Sequence, residues 1–183
     1  MVCQRFNGRF DLVYYLEEFS RRSSRYSYCY VASHGTAGRL TTLLDNVNAS
    51  TIAEACKRSR GRGFIIGACS FGNRRAATEF LDKTGAAFVA GYTKDVPWEE
   101  SMLTDLCFLT YLIGRRCRRR KRGDEVELET ARNGAFRFEG SRDPIRVASW
   151  VYEDLPLSRA MGFIVHQRRK RNGRWHIESS LDR

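Results

Sequence analysis

The segment Gly63-Phe64-Ile65-Ile66-Gly67-Ala68-Cys69-Ser70-Phe71-Gly72-Asn73-Arg74-Arg75 constrains this chain more than any other. A short apolar run with β-branched residues, bounded by glycines and passing into a polar helix start, predicts a buried strand with one thiol at its carboxyl end. Open α/β sheets place their chemistry there. A second segment of the same form, Tyr26-Ser27-Tyr28-Cys29-Tyr30-Val31-Ala32-Ser33-His34-Gly35, delivers a histidine at the end of its own strand. If the two strands are parallel neighbours, His34 and Cys69 face each other across one cleft. Cysteine is also a common small core residue, and the chain has six, so it is the matching histidine that turns the thiol into a candidate site.

A chain of 183 residues suits a single domain, 1–183, with a full hydrophobic core. No apolar run approaches the length of about eighteen residues that a membrane span needs, so no membrane partner is expected. Leu106 to Ile113 is the most apolar stretch and reads as a core helix. The amino terminus lacks a basic region followed by an apolar one, and the cysteines have no regular spacing, which together predict reduced thiols in a cytoplasmic protein. No CxxC pair occurs and the three histidines are scattered, so neither a metal nor another cofactor is expected.

The net charge is +11, but seven cations lie within Arg115 to Arg122, leaving +4 for the rest. The basicity therefore reads as a local, mobile patch; nucleic acid is expected to bind only non-specifically, through Arg115–Arg122, if at all.

Along the chain, Met1 to Phe6 could supply only the end of a strand. Asp11 is a plausible cap for a helix carrying Leu12, Val13, Leu16 and Phe19 on one face. The strand ending in His34 leads to a polar loop, Thr36 to Val47, and Ser50 can cap a helix from Thr51 to about Arg60. After the Cys69 strand come a helix from about Arg74 to Thr84, stopped by Gly85, and a third apolar strand, Ala86 to Gly91. Asp95 and Pro97 open a long helix with Trp98, Met102, Leu106, Leu109 and Ile113 down one face. Beyond a basic loop at 115–123, Glu125 to Thr130 and Ala135 to Glu139 predict a hairpin around Asn133-Gly134. A helix capped by Asp143-Pro144 follows to about Met161, broken near Pro156, and then a strand, Phe163 to Gln167. The alternation between Tyr26 and Gly114 predicts an α/β fold with a mostly parallel central sheet flanked by helices, its core at 10–113 and its hairpin, helix and final strand at 124–183.

The residues suggest a cysteine–histidine peptidase. Cys69 would be the nucleophile, His34 would carry the proton of the leaving amine, and the N–H groups of Gly35 and Cys69 would form an oxyanion hole.

The chain also resembles the caspase-type (clan CD) cysteine peptidases. An apolar strand ends in His-Gly, and about 35 residues later another ends in Ala-Cys. Phe80-Leu81-Asp82-Lys83-Thr84-Gly85-Ala86-Ala87-Phe88-Val89-Ala90-Gly91-Tyr92-Thr93-Lys94-Asp95-Val96-Pro97-Trp98 is similar to the helix, strand and loop of the short bacterial caspase-like and CHAT-like domains. The likeness runs from roughly Phe10 to Ile113, with an echo at Ser158-Arg159-Ala160-Met161-Gly162-Phe163. It implies a caspase-like three-layer sandwich, endopeptidase activity on a protein or peptide, catalytic His34 and Cys69, Gly35 as oxyanion donor, and a role as a regulated effector of bacterial defence or cell death, raised by an activating ligand or partner. The family's first strand is short or missing here, which implies an open sheet edge completed by another chain or a homo-oligomer.

The same thiol fits a second chemistry, because Cys69 to Arg75 satisfies the C-x-x-G-x-x-R loop of cysteine phosphatases. A third possibility is a non-catalytic interaction module that keeps the fold. Asp95 is the candidate for the base of a substrate pocket that takes a basic side chain, or else a helix cap, and the basic loop is then a candidate self-cleavage site. His166 and His176 read as surface residues, and Cys29, Cys56 and Cys107 as core positions.

Overall fold

A computed structural model describes residues 3–21, 23–36, 38–113, 119–122, 125–128 and 143–182. In chain order its elements are α1 (Arg9–Ser20), β1 (Tyr28–Ala32), β2 (His34–Thr36), β3 (Arg39–Thr41), β4 (Asn46–Asn48), α2 (Ala49–Ala55), β5 (Gly63–Gly67), α3 (Arg74–Thr84), β6 (Phe88–Tyr92), α4 (Trp98–Ile113), β7 (Arg119–Arg122), β8 (Glu125–Leu128), α5 (Pro144–Asp154), α6 (Pro156–Ala160), β9 (Phe163–Arg171) and β10 (Arg174–Ser179). The main sheet has the order β1-β5-β6-β9-β10. The first three strands are parallel, while β9 runs antiparallel to β6 and β10 antiparallel to β9. The fold is thus α/β with a mixed central sheet, and its last two strands come from the region beyond residue 124.

β5 is buried at every position because both its faces are covered. Phe64 and Ile66 pack with Leu12 and Leu16 of α1, Ile52 of α2 and Phe80 of α3. Ile65, between them, points the other way and packs with Phe88, Phe108 of α4, Val151 of α5 and Phe163. Two-sided burial is the reason the strand reads as an uninterrupted apolar run rather than an alternating one.

Several predicted boundaries shift for local reasons. Gly8 rather than Asp11 stands at the N-cap of α1, and the Asp11 carboxylate accepts from the Asn7 amide at 3.0 Å. The Asn48 side chain, not that of Ser50, caps α2 by accepting from Thr51 N at 2.8 Å, and the helix ends at Ala55. The stretch expected as a loop, Thr36 to Val47, contains an antiparallel sheet of β2, β3 and β4. β8 pairs with β7, so part of the basic run is strand backbone; Arg115–Arg118, the Asn133-Gly134 turn and Ala135–Glu139 lie outside the described residues. No strand precedes α1 among the described residues.

Other expectations hold. Gly85 ends α3 in the left-handed region at φ 66°. Asp143 caps α5 with Pro144 in its first turn, and the helix breaks before Pro156.

The larger departure is the orientation of α4. Trp98, Met102, Leu106 and Ile113 face outward, Leu106 being 52% exposed, whereas Ser101, Thr104, Asp105, Phe108 and Leu112 face the sheet. Asp105 is 1% exposed, and accepts from the Tyr92 hydroxyl at 2.9 Å and the Tyr30 hydroxyl at 3.0 Å. The Tyr92 hydroxyl also lies 2.8 Å from Ser101 O, a second acceptor for its one proton. These bonds and the rings packed on Phe108 outweigh the apolar stripe, because a buried carboxylate without partners costs far more than an exposed leucine.

Candidate active site

β1 and β5 pair in parallel with Ala32 opposite Gly67, and the Ser33 amide continues the ladder to Gly67 O at 3.2 Å. His34 and Cys69 therefore emerge side by side from the carboxyl edge of adjacent strands. Gly35 lies directly on the Cys69 turn: a Cβ built there would stand 2.8 Å from Cys69 O and 2.9 Å from Ala68 Cβ. Only glycine lets β2 approach so closely.

The Cys69 side chain is half-buried. Its Sγ receives the Val96 amide at 3.4 Å and lies 3.8 Å from Val96 O. The Cys69 amide donates to no group among the described residues, which leaves it free for an oxygen in the cleft. The next residue, Ser70, has φ 54°, a left-handed conformation that a non-glycine residue adopts at a cost of about 1 kcal/mol or more. The turn is held by Ser70 N donating to Lys94 O at 3.1 Å and Gly72 N to Tyr92 O at 2.7 Å.

His34 is exposed on β2. Its ring packs near Trp98, centroid to centroid 6.4 Å, and it forms no hydrogen bond with Cys69 among the described residues. Catalytic pairs are often this loose without substrate. Asp95 is exposed and 3.3 Å from Ser70 Oγ, which puts it beside the thiol turn. Its loop is pinned from beyond: Thr93 N donates to Gly162 O at 2.9 Å, and Lys94 Nζ to Ala160 O at 3.0 Å. The structure brings together His34, Gly35, Cys69 and Asp95.

Two groups behind the site escape sequence reasoning. Asp105 lies under the last residue of β5, where a Cβ on Gly67 would stand 2.6 Å from its Oδ2. Burial raises its pKa from 3.8 to about 6, against the lowering effect of the two tyrosine hydroxyls. A lone aspartate inside Leu103-Thr104-Asp105-Leu106-Cys107-Phe108 was the available signal. His166, expected at the surface, is 1% exposed: its ring is enclosed between Gly72 O of the loop after Cys69 and Ser179 at the end of β10. Burial holds its pKa below the ordinary value. His176 is exposed, as expected.

The second chemistry rests on the C-x-x-G-x-x-R segment, Cys69 to Arg75. Ser70 and Gly72 have already spent their amides on carbonyls, and Arg75 is exposed on the first turn of α3. Among the described residues, no group of three or more His, Cys, Asp or Glu side chains is arranged to hold a metal ion, and no helix is long and apolar enough to cross a membrane.

No protein-family model matches the chain, and no curated protein matches it.

Proposed function

We propose that the chain is a cysteine endopeptidase of caspase-like architecture. The observation that carries this reading is the parallel pairing of β1 with β5, which sets His34 and Cys69 at one edge with Gly35 packed on the thiol turn. Cys69 thiolate attacks a peptide carbonyl, its free amide stabilises the resulting oxyanion, and His34 protonates the departing amine. Asp95, beside Ser70, receives a basic side chain of the substrate. The resemblance to short bacterial caspase-like and CHAT-like domains supports a place among regulated effectors of defence or cell death.

The test is labelling with peptidyl acyloxymethyl ketones carrying Arg, Lys, Asp or Leu beside the warhead, followed by peptide mapping of wild type, His34→Ala, Cys69→Ala and Asp95→Ala. Modification of Cys69 that requires His34, and a preference for Arg or Lys that Asp95→Ala removes, support the assignment. Equal labelling of wild type and His34→Ala refutes the dyad. The hydrogen bonds that Ser70 N and Gly72 N donate to Lys94 O and Tyr92 O weigh against the phosphatase chemistry. A phosphate-ester assay on the same proteins, with Arg75→Ala added, checks it directly.

A further inference from the structure

β9 and β10 continue past the sheet as a two-stranded ribbon whose tip is a two-residue turn, Asn172-Gly173, with φ of 50° and 78°. Two left-handed residues in succession match the right-handed twist of a tight hairpin. Within seven positions the ribbon carries Arg168, Arg169, Lys170, Arg171 and Arg174. This second concentration of charge stands apart from Arg115–Arg122 in the sequence.

The cations differ in how far they are neutralised. Arg169 is held by Asp143 at 2.6 Å and by Glu178 at 3.1 Å, and Arg171 reaches Glu178 at 3.9 Å. Arg168, Lys170 and Arg174 form no ion pair among the described residues. The register sorts them: Lys170 lies opposite Trp175 and Arg168 opposite Ile177, so these four share one face. On it the Arg168 guanidinium lies 4.5 Å from the Trp175 ring centroid, while the indole keeps 49% of its surface exposed. Arg174, opposite Arg171, lies on the other face with Arg169 and His176, and Arg169, Arg171 and His176 there border a concavity of about 460 Å³. The root of the ribbon is rigid, because His166 is bonded on both sides.

We propose that this ribbon binds single-stranded nucleic acid, its phosphates lying along Arg168 and Lys170 and a base stacking on Trp175. Unpaired cations around an exposed aromatic ring are the combination that single strands use. Duplex bases, already stacked on each other, cannot offer a face to the indole, and an acidic peptide has no use for the ring. The inference is independent of the peptidase chemistry.

The experiment is fluorescence anisotropy of the full chain with labelled 20-nucleotide single-stranded DNA, single-stranded RNA and duplex DNA, from about 50 to 200 mM salt. Arg168→Gln/Lys170→Glu, on the Trp175 face, should weaken single-strand binding at least tenfold and flatten the log–log salt slope by about 1.4 for two lost phosphate contacts. Unlabelled oligonucleotide should quench tryptophan emission, and that quenching should disappear in Trp175→Phe. The DNA and RNA arms show which sugar is preferred. The proposal is overturned by any of four results: no single-strand binding at the lowest salt, a preference for duplex, unchanged binding in Arg168→Gln/Lys170→Glu with loss only when Arg115–Arg122 is neutralised, or quenching that persists in Trp175→Phe. A matched thermal melt confirms that each variant is folded.

Discussion

His166 Nε2 donates to Gly72 O at 2.9 Å, and its Nδ1 accepts from the Ser179 hydroxyl at 2.7 Å. This histidine joins three parts of the molecule: β9, the end of β10, and the loop that follows Cys69. Its two bonds fix the tautomer, because a carbonyl can only accept.

Replacing His166 with Phe strands a buried carbonyl and a buried hydroxyl, and should cost about 2 kcal/mol or more in urea unfolding at pH 7.5. His166→Gln, which can still donate to Gly72 O, should lose less. The pH dependence gives a second check. Because burial lowers the folded pKa of His166, the unfolded chain binds the proton more readily. Its stabilising contribution is complete above the unfolded value of about 6.5 and is lost as pH falls through it. His166→Gln should be less acid-sensitive than wild type over that interval; equal sensitivity would place the effect elsewhere.

Asp105 acts with the opposite sign. Its folded pKa stands at about 6 against 3.8, so the folded state holds the proton more tightly, and stability from this group is present below pH 3.8 and declines as pH rises to about 6. A shift of that size is worth on the order of 3 kcal/mol. Asp105→Asn keeps an acceptor for one tyrosine and should flatten the wild-type decline between those pH values. Asp105→Leu leaves the Tyr30 hydroxyl without its acceptor and the Tyr92 hydroxyl with Ser101 O alone, and should be clearly destabilised at every pH.

Thiol accessibility offers a check independent of any substrate. Burial pushes Cys29 up to about 12 and raises Cys56 further. Cys3 is exposed and Cys69 half-buried. With a small disulfide reagent at pH 8, Cys3 and Cys69 should react within minutes, Cys29, half-buried but with its thiol held protonated, more slowly, while Cys56 waits for unfolding. Rapid modification of Cys56 in native protein would contradict the described core.

Gly35→Ala places a methyl group 2.8 Å from Cys69 O, against backbone that has little room to yield. We expect a loss of about 1–3 kcal/mol and at least a tenfold fall in peptidyl-ketone labelling of Cys69, read by thermal melt and by labelling rate on the same samples. Labelling at the wild-type rate would mean that the contact between β2 and the Cys69 turn is unimportant to the site.

The central elements were legible because their signals are local. Gly63 to Arg75 has its strand, turn and helix cap within thirteen residues, and Gly85 marks the end of α3 through a backbone conformation that glycine adopts freely. The candidate pair His34 and Cys69 could be picked out from two strand ends of matching form. The small sheet of β2, β3 and β4 was not visible, since its strands are three residues each and too short for a period to register. β10 was missed for another reason: Arg174 to His176 looks like solvated polar chain, and only pairing with β9 makes it a strand.

The sequence by itself determined the α/β alternation, the two-sided burial of β5 and the delivery of a thiol and a histidine to strand ends, all of which follow from side-chain pattern over a few residues. Tertiary structure alone decided which face of α4 is buried, where His166 lies and which of the basic residues remain unpaired. Each of these depends on partners far along the chain, Asp105 with Tyr30, His166 with Gly72, Arg169 with Asp143. Hydropathy periodicity sums one residue's preference for water or oil and holds no information about a hydrogen bond that another segment will bring to it.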